Sequence, residues 1–415
     1  MGSKILAINP GSTSTKVALY DDEHPLLELT LRHSAEEIAR FDDIISQLDW
    51  RREIILSALR EQHFDIRELA VVIGRGGLVK PIPAGVYEVN DAMRHDLRHA
   101  SREHASNLGG LLAADIAAMA GVKAYIADPV VVDEMDDVAR MSGLPDCPRR
   151  SILHALNQKA TVRLHCERVG LVYEEHNFIV AHLGGGISVT AHKRGRMVDT
   201  NNALDGDGPI APERAGSLPT SGLADLCFSG RYTRHDVERL LAGKGGMVAH
   251  LGTNSVMSVM ERMRAGDEEA KRFIEAMCYT ISKEIGAMAA VLEGKVDGIV
   301  LTGGIAYNAP VTDAIRQRCS FIAPVTVYPG ENELEALMSN ALAVLRASAP
   351  PRLNPGGRGA PKSPPQKKTP AGGPPPAHPL LVLLRRAYRR RCSCRRTRPT
   401  TSPKASSRKR ADSPT

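Results

Sequence analysis

Two apolar runs, Ile5-Leu6-Ala7-Ile8 and Val17-Ala18-Leu19-Tyr20, flank the turn signal Asn9-Pro10-Gly11-Ser12. That spacing leaves little choice but a strand, a tight turn and a second strand. Ser12, Thr13, Ser14 and Thr15 supply four hydroxyls to the turn, and Lys16 follows them. A turn of this kind aims several backbone N–H groups at one point. With hydroxyl donors and a lysine it suits a phosphate. It is not a P-loop, which carries G-x-x-x-x-G-K-[ST] ahead of a helix. Taken alone, the segment reads equally well as an ordinary polar hairpin.

The pattern recurs about 175 residues later. Phe178 to Thr190 reads FIVAHLGGGISVT, an apolar strand, a glycine turn at Gly184-Gly185-Gly186 and another strand. Arg194-Gly195-Arg196 turns the chain again into Met197-Val198-Asp199, as Asp21-Asp22 does in the first unit. Two such units suggest two related domains that face one another across a nucleotide. A third glycine turn follows the strand Asp297 to Leu301, at Thr302-Gly303-Gly304-Ile305. A helix over 308–318 stands behind it, with Pro310 tolerated in the first turn. Strand, glycine turn and helix N-terminus make a further anion or nucleotide site.

The formal net charge of +7 misleads about partners. Residues 350–415 hold 17 Lys and Arg against the single acidic Asp412, and 14 of the 27 prolines, so residues 1–349 carry about −9. The tail over 349–415 is expected to be disordered, since it lacks apolar periodicity. Its clusters at Arg389 to Arg391 and Arg408 to Arg410 would bind nucleic acid only non-specifically. Leu380 to Leu384 is too short to span a bilayer. The seven cysteines are scattered, with no C-x-x-C, which fits cytosolic usage and neither a zinc set nor a disulfide framework. A strand begins almost at once, with no room for a signal peptide, so a cytoplasmic protein without a membrane partner is expected.

Helical spacing covers 34–63, 91–119 with a break near 106–110, 149–168 with His154 on it, and a long amphipathic stretch over 267–293. Arg75 sits in Gly74-Arg75-Gly76-Gly77 at the end of the strand over 69–73, free to reach a ligand and equally readable as a loop arginine. Asp128 ends the strand over 122–126, where α/β proteins place metal-binding or catalytic carboxylates. A turn-forming Asp before Pro129 explains it as well. His95, His99 and His104 lack an H-E-x-x-H arrangement and are not read as a metal site. The irregular stretch over 199–222 holds Arg214 and is long enough to be functional or mobile.

The spelling of these turns resembles the acetate kinase family of the sugar kinase, Hsp70 and actin superfamily. Ile5 to Lys16 and His182 to Val189 look like its two signatures. Glu103 to Gly109, Arg150 to Ala160, Asp205 to Pro209 and Pro212 to Gly216 resemble its butyrate kinase branch, over residues 3–348. The resemblance implies an α/β fold of two duplicated ribonuclease H-like (actin-like ATPase) domains with a cleft between them. The N-terminal one would span 1–150, completed by the helix over 334–348, and the C-terminal nucleotide-binding one 151–333. It implies reversible ATP-dependent phosphorylation of a short-chain fatty acid, butyrate or a branched C4–C5 acid, by direct in-line transfer, with Mg²⁺ bridging the phosphates. It also implies a homo-oligomer, at least a dimer.

Matched position by position, Asn9, Ser12, Ser14 and Lys16 fall in the first phosphate turn. Gly184, Gly185, Gly186, Gly303, Gly304 and Asn308 fall against the nucleotide. Arg75, Asp128, His154, His182 and Arg214 match catalytic positions, Arg75 and His104 acid-binding ones, and Asn9, Asp128 and Glu333 metal-related ones. Arg75 matches across a segment shortened here to Gly-Arg-Gly-Gly. Gly185 stands where the acetate branch has asparagine and fits the butyrate branch. The competing readings are an acetate or propionate kinase, a non-catalytic ATP-binding protein of the same superfold, and a polyanion binder acting through the tail.

Overall fold

The computed structural model describes residues 2–353 apart from 101, 205 and 349. The expectation of a disordered basic tail falls on residues outside this range, save for 350–353. The strands are β1 (Lys4–Pro10), β2 (Ser14–Asp21), β3 (His24–Arg32), β4 (Leu69–Arg75), β5 (Val86–Glu88), β6 (Lys123–Ala127), β7 (Asn177–Leu183), β8 (Ile187–Lys193), β9 (Arg196–Thr200), β10 (Gly298–Gly303), β11 (Val325–Pro329) and β12 (Arg352–Leu353). They form a seven-stranded sheet, β12-β5-β6-β4-β1-β2-β3, and a five-stranded sheet, β11-β10-β7-β8-β9.

Both sheets repeat one plan. An antiparallel meander (β1-β2-β3 or β7-β8-β9) is followed by two strands parallel to its first member, β4 and β6 or β10 and β11. This is the duplicated ribonuclease H-like arrangement that the family resemblance implies. The meander needs only tight turns, whereas the parallel strands require crossovers, which here are helical.

Strand alternation directs residues to opposite faces. In β1, Leu6 and Ile8 join the core under the Leu48–Glu61 and Asn107–Ala120 helices. Ile5 and Ala7 face the Glu333–Leu345 helix. In β7, Ile179, Ala181 and Leu183 pack under the Glu268–Val291 and Ala309–Cys319 helices. Phe178 and Val180 face the Ala155–Val169 helix. The Ala155–Val169 and Glu333–Leu345 helices pack on each other, which brings the two sheets together.

Two helical readings need correction. The 34–63 stretch is broken: a short helix over Ala35–Ile38 stops, and Asp43 Oδ1 accepts from Ser46 N at 2.7 Å, a local turn that outcompetes helix before Leu48–Glu61 begins. The 149–168 helix starts only at Ala155. Arg149 instead reaches Asp199 at 2.8 Å and the Thr200 carbonyl at 2.9 Å, holding the preceding residues extended beside β9. His154 therefore stands just before the helix, not on it.

One close approach seats the strand that carries Arg75. A Cβ on Gly74 would lie 2.1 Å from the Gly109 carbonyl oxygen, and one on Gly109 would lie 2.2 Å from the Arg75 oxygen. The helix backbone lies directly on β4, with no room for a side chain. Gly74→Ala is expected to destabilise the protein by about 2–3 kcal/mol in a denaturant melt, from overpacking against backbone that cannot yield. An unchanged melt would contradict that packing.

Candidate active site

The strand ends converge on one region, as they do in open α/β sheets. Asn9 comes from the end of β1, Arg75 from β4, Asp128 from the turn after β6, and His182 from β7. Glu333 opens the helix at the junction and is buried. Its Oε2 accepts from Asn9 Nδ2 at 2.6 Å and lies 3.1 Å from an Arg75 guanidinium nitrogen. Three segments distant in sequence thus meet at one carboxylate. Asp128 lies one residue past Ala127, the parallel partner of Arg75. It is buried with φ of 37°, a conformation rarely adopted by a side-chain-bearing residue, and its Oδ1 accepts from Gly85 N at 2.7 Å.

A cleft of about 410 Å³ of unfilled space, part of it open to solvent, is lined by Arg75, Leu78, His104, Val130, Ile152, Leu153, His154, Gly186, Ala203, Leu204 and Arg214. Its polar end carries two arginines and two histidines, and its walls are aliphatic. A second cleft of about 650 Å³ is lined by Gly184, Gly185, Pro212, Asn254, Ser255, Val256, Met257, Gly304, Ile305, Asn308 and Glu331. The glycine turn separates the two, with Gly186 on one side and Gly184 and Gly185 on the other. A Cβ on Gly184 would stand 3.0 Å from His182 Nε2, so glycine keeps a side chain from pressing on that buried ring edge. Gly303, at φ of 92°, leaves no room for a Cβ, which would lie 2.4 Å from the Leu183 oxygen. Gly304 has open space where its side chain would be.

His182 and His154 join the clefts. Their rings stack at 3.7 Å with planes 8° apart. His182 Nδ1 donates to Asn157 Oδ1 at 2.7 Å, and its Nε2 stands 3.2 Å from Glu331 Oε1, short of hydrogen-bond alignment. The His182 side chain first, then Arg75 and Lys16, hold the Glu331 carboxyl down to about 2 against the opposing effect of burial. Burial, with Arg75 and Arg214 adding to it, pushes His104 down to about 4. His154 is pushed well below the ordinary range by burial, then by His182 and the two arginines. The Ser106 N–H donates to His104 Nδ1 at 3.2 Å, so the single ring proton of neutral His104 resides on Nε2.

The first turn is built from beneath by Arg51, a residue that the sequence reading missed. Its side chain is fully buried and donates to the carbonyls of Gly11 at 2.8 Å and Ser12 at 3.2 Å, to Thr15 Oγ1 at 3.2 Å and to Gln47 Oε1 at 2.8 Å. Burial lowers this guanidinium to about 10, and it stays charged at neutral pH. The Thr13 carbonyl accepts from His33 N at 2.9 Å. In trans peptides each inward carbonyl turns the next N–H outward, so the Ser12 and Thr13 amides face away from Arg51. Lys16 pairs in register with Asn9. Only long-range contacts reveal Arg51; locally it is one more basic residue on a helix.

Of the expected residues, the structure gathers Arg75, His104, His154, Gly186 and Arg214 along one cleft, and Gly184, Gly185, Gly304 and Asn308 along the other. Asn9 and Arg75 both contact Glu333. Glu331, Asn157, Asn254 and Ser255 join the region without having been singled out; Glu331 was legible only as part of an acidic helix start. Among the described residues no three His, Cys, Asp or Glu side chains form a metal-holding group. One buried carboxylate beside an amide instead suits a hard cation that completes its coordination with phosphate oxygens and water. No helix among the described residues is long and apolar enough to cross a membrane.

A family model described as the Acetokinase family matches residues 149–327. Butyrate kinase 2 of Clostridium acetobutylicum is 52% identical over 346 residues, covering 83% of this chain and 97% of that protein. A probable butyrate kinase of Bacteroides thetaiotaomicron is 50% identical over 348 residues, covering 84% of this chain and 98% of that protein. The solved acetate kinase of Porphyromonas gingivalis shares the fold, with a TM-score of 0.67 at 20% identity over 83% of this chain and 100% of that one.

The depressed histidines carry a pH signature. A His whose folded pKa lies near 4, as burial and then Arg51 impose on His33 and burial and then Arg75 impose on His104, is kept neutral by the fold. Its stabilising contribution is complete above the ordinary value of 6.5. It is lost as pH falls toward 4, because only the unfolded chain takes up the proton there. Melting temperature should therefore fall across that window, and His33→Asn and His104→Asn should each make the fall shallower. Identical slopes in all three proteins would contradict the assignment.

Proposed function

The chain belongs to the acetokinase family, and from that membership we propose how its residues carry out phosphoryl transfer between ATP and a short-chain carboxylate, with butyrate or a branched C4–C5 acid as the preferred substrate. The observation that carries this reading is the convergence of Arg75, His104, His154 and Arg214 on the polar end of an aliphatic cleft, beside a glycine turn that opens onto a second cleft.

The acid places its alkyl chain against Leu78, Val130, Ile152 and Leu204. Its carboxylate meets Arg75 and the Nε2–H of His104. The nucleotide lies in the other cleft, against Gly184, Gly185, Gly304 and Asn308, with its phosphates directed toward the amides around Ser12 and Ser14 and toward Lys16. One carboxylate oxygen attacks the γ-phosphorus, the bond to the β-bridging oxygen breaks, and ADP leaves with that electron pair. A carboxylate needs no general base, so what the protein supplies is position and positive charge. Arg75 and Arg214 hold equatorial oxygens through planar paired donors, and His154 donates beside them, while His182, whose Nδ1–H is given to Asn157, stacks on the His154 ring and holds it in place. Asn9, Glu333 and Asp128 are the residues that would hold Mg²⁺, which neutralises β- and γ-phosphate charge when bound.

Methylene-level choice among acids rests on the aliphatic walls, where one CH₂ is worth about 1–3 kcal/mol. The test is a hydroxylamine trap for acyl phosphate with ATP, Mg²⁺ and a panel of C2 to C5 acids. Product should form with C4 and C5 acids in preference to acetate. In the same assay Arg214→Ala should lower kcat by about a thousandfold while the melting temperature stays within a few degrees of wild type. No acyl phosphate from any acid would refute the activity, and a near-normal Arg214→Ala would remove that side chain from the transfer step.

A further inference from the structure

Behind His154 runs a buried row of polar side chains that the transfer chemistry does not use. Ser188 Oγ lies 2.9 Å from His154 Nδ1. Gln158 Nε2 lies 2.8 Å from Ser188 Oγ and 3.2 Å from the Ser188 carbonyl oxygen. Gln158 Oε1 lies 3.0 Å from His192 Nε2, and His192 Nδ1 lies 2.7 Å from the Tyr173 hydroxyl. Ser188, Gln158 and His192 are fully buried, and Tyr173 is nearly so.

The direction of every hydrogen bond in this row follows from one atom. The Ser188 carbonyl can only accept, so the Gln158 atom facing it is the NH₂ group. The other amide atom is therefore the oxygen, and His192 Nε2 must carry a proton to donate to it. His192 Nδ1 then accepts from Tyr173 OH. At the other end, Ser188 Oγ receives the Gln158 NH₂ and faces the His154 backbone N–H at 3.4 Å, both donors. Its own hydrogen is left with His154 Nδ1 as its acceptor. Burial, reinforced by Lys159 and Arg163, keeps His192 neutral, as the row requires.

We propose that Ser188, Gln158, His192 and Tyr173 are positioning residues that fix His154 as the Nε2–H tautomer, so that its proton-bearing edge is the one left for the cleft shared with Arg75 and Arg214. A free imidazole exchanges tautomers readily. The Nδ1–H form would turn a lone pair, not a proton, toward an incoming phosphoryl oxygen. The row removes that form in advance, so no reorganisation is needed during transfer. It also fixes the ring plane that stacks on His182. The catalytic consequence rests on the placement of His154 at the transferring group; the tautomer itself does not.

The two parts are tested separately in the full-length protein. Nitrogen-15 NMR of histidine-labelled enzyme, with the His154 signal identified by its absence in His154→Asn, reads the tautomer. Wild type should show Nε2–H, and Ser188→Ala should move the ring toward Nδ1–H or a mixture. Ser188→Ala should also lower kcat by about 10- to 100-fold, as loss of an orienting partner commonly does, with KM for acid and ATP within about threefold of wild type. Tyr173→Phe, which deletes only the hydroxyl at the far end, should shift the same signal with a smaller loss of kcat, and it decides the matter should Ser188→Ala fail to fold. A wild-type His154 in the Nδ1–H form, or a tautomer unchanged in both folded variants, overturns the proposal. Altered tautomer with unchanged kcat would keep the row and sever His154 from transfer, while the acyl phosphate assay would still report the activity itself.

Discussion

Glu333 is the group on which the arrangement of the site depends. A guanidinium drawn out of water is costly unless it is paired, and Arg75 is largely buried at the end of β4. Glu333 offers that pairing, but a carboxylate devoted wholly to Arg75 would cancel the charge that an anionic substrate needs. The same oxygen also accepts from Asn9. The carboxylate is thus held by two partners from different strands and stays in place without enclosing the guanidinium. Its place at the start of the Glu333–Leu345 helix adds the favourable N-terminal dipole. Three chain segments are locked by one side chain, and the cleft edge they form is fixed before any ligand arrives.

The second sheet completes the site from the other side. His182 ends β7, Arg214 sits over Gly186, and the stacked His154 and His182 rings stand where the glycine turn divides the clefts. Each cleft alone is an ordinary depression. Their shared wall of three glycines brings them within reach of one another, since any side chain at Gly186 would approach the Ala203 oxygen to 2.8 Å. Glu333 is held by Asn9 and Arg75, and Glu331 lies 3.2 Å from His182 Nε2, in the field of Arg75 and Lys16.

Much of this was legible in the sequence because strands and glycine turns leave local marks. The turns at 9–16, 182–188 and 302–305 were readable from apolar runs interrupted by small residues; the likeness of the first two suggested two related domains, and the duplicated fold came with the family resemblance. Arg75, Asp128, His182 and Arg214 could be singled out by their positions after strands or in a long loop. What escaped has its causes at long range. Arg51 supports its turn from about forty residues away, and nothing in Trp50-Arg51-Arg52 tells a buried guanidinium from an exposed one. The extended course before Ala155 was hidden because Arg149 is held by Asp199 and Thr200, against a local preference for helix. The polar row behind His154 joins a helix, one strand and a short 3-10 turn, and only Ser188 and His192, four apart on one strand, share a spacing.

The central claim is that a phosphoryl group passes in one step between two bound substrates, steadied by converging cations and never taken up by the protein. The stereochemical course at phosphorus tests it most directly, using ATP made chiral at its γ-phosphorus with oxygen isotopes and analysing the acyl phosphate product. A single in-line displacement predicts inversion of configuration. Retention would require two displacements through a phosphorylated side chain and would contradict this account of the site.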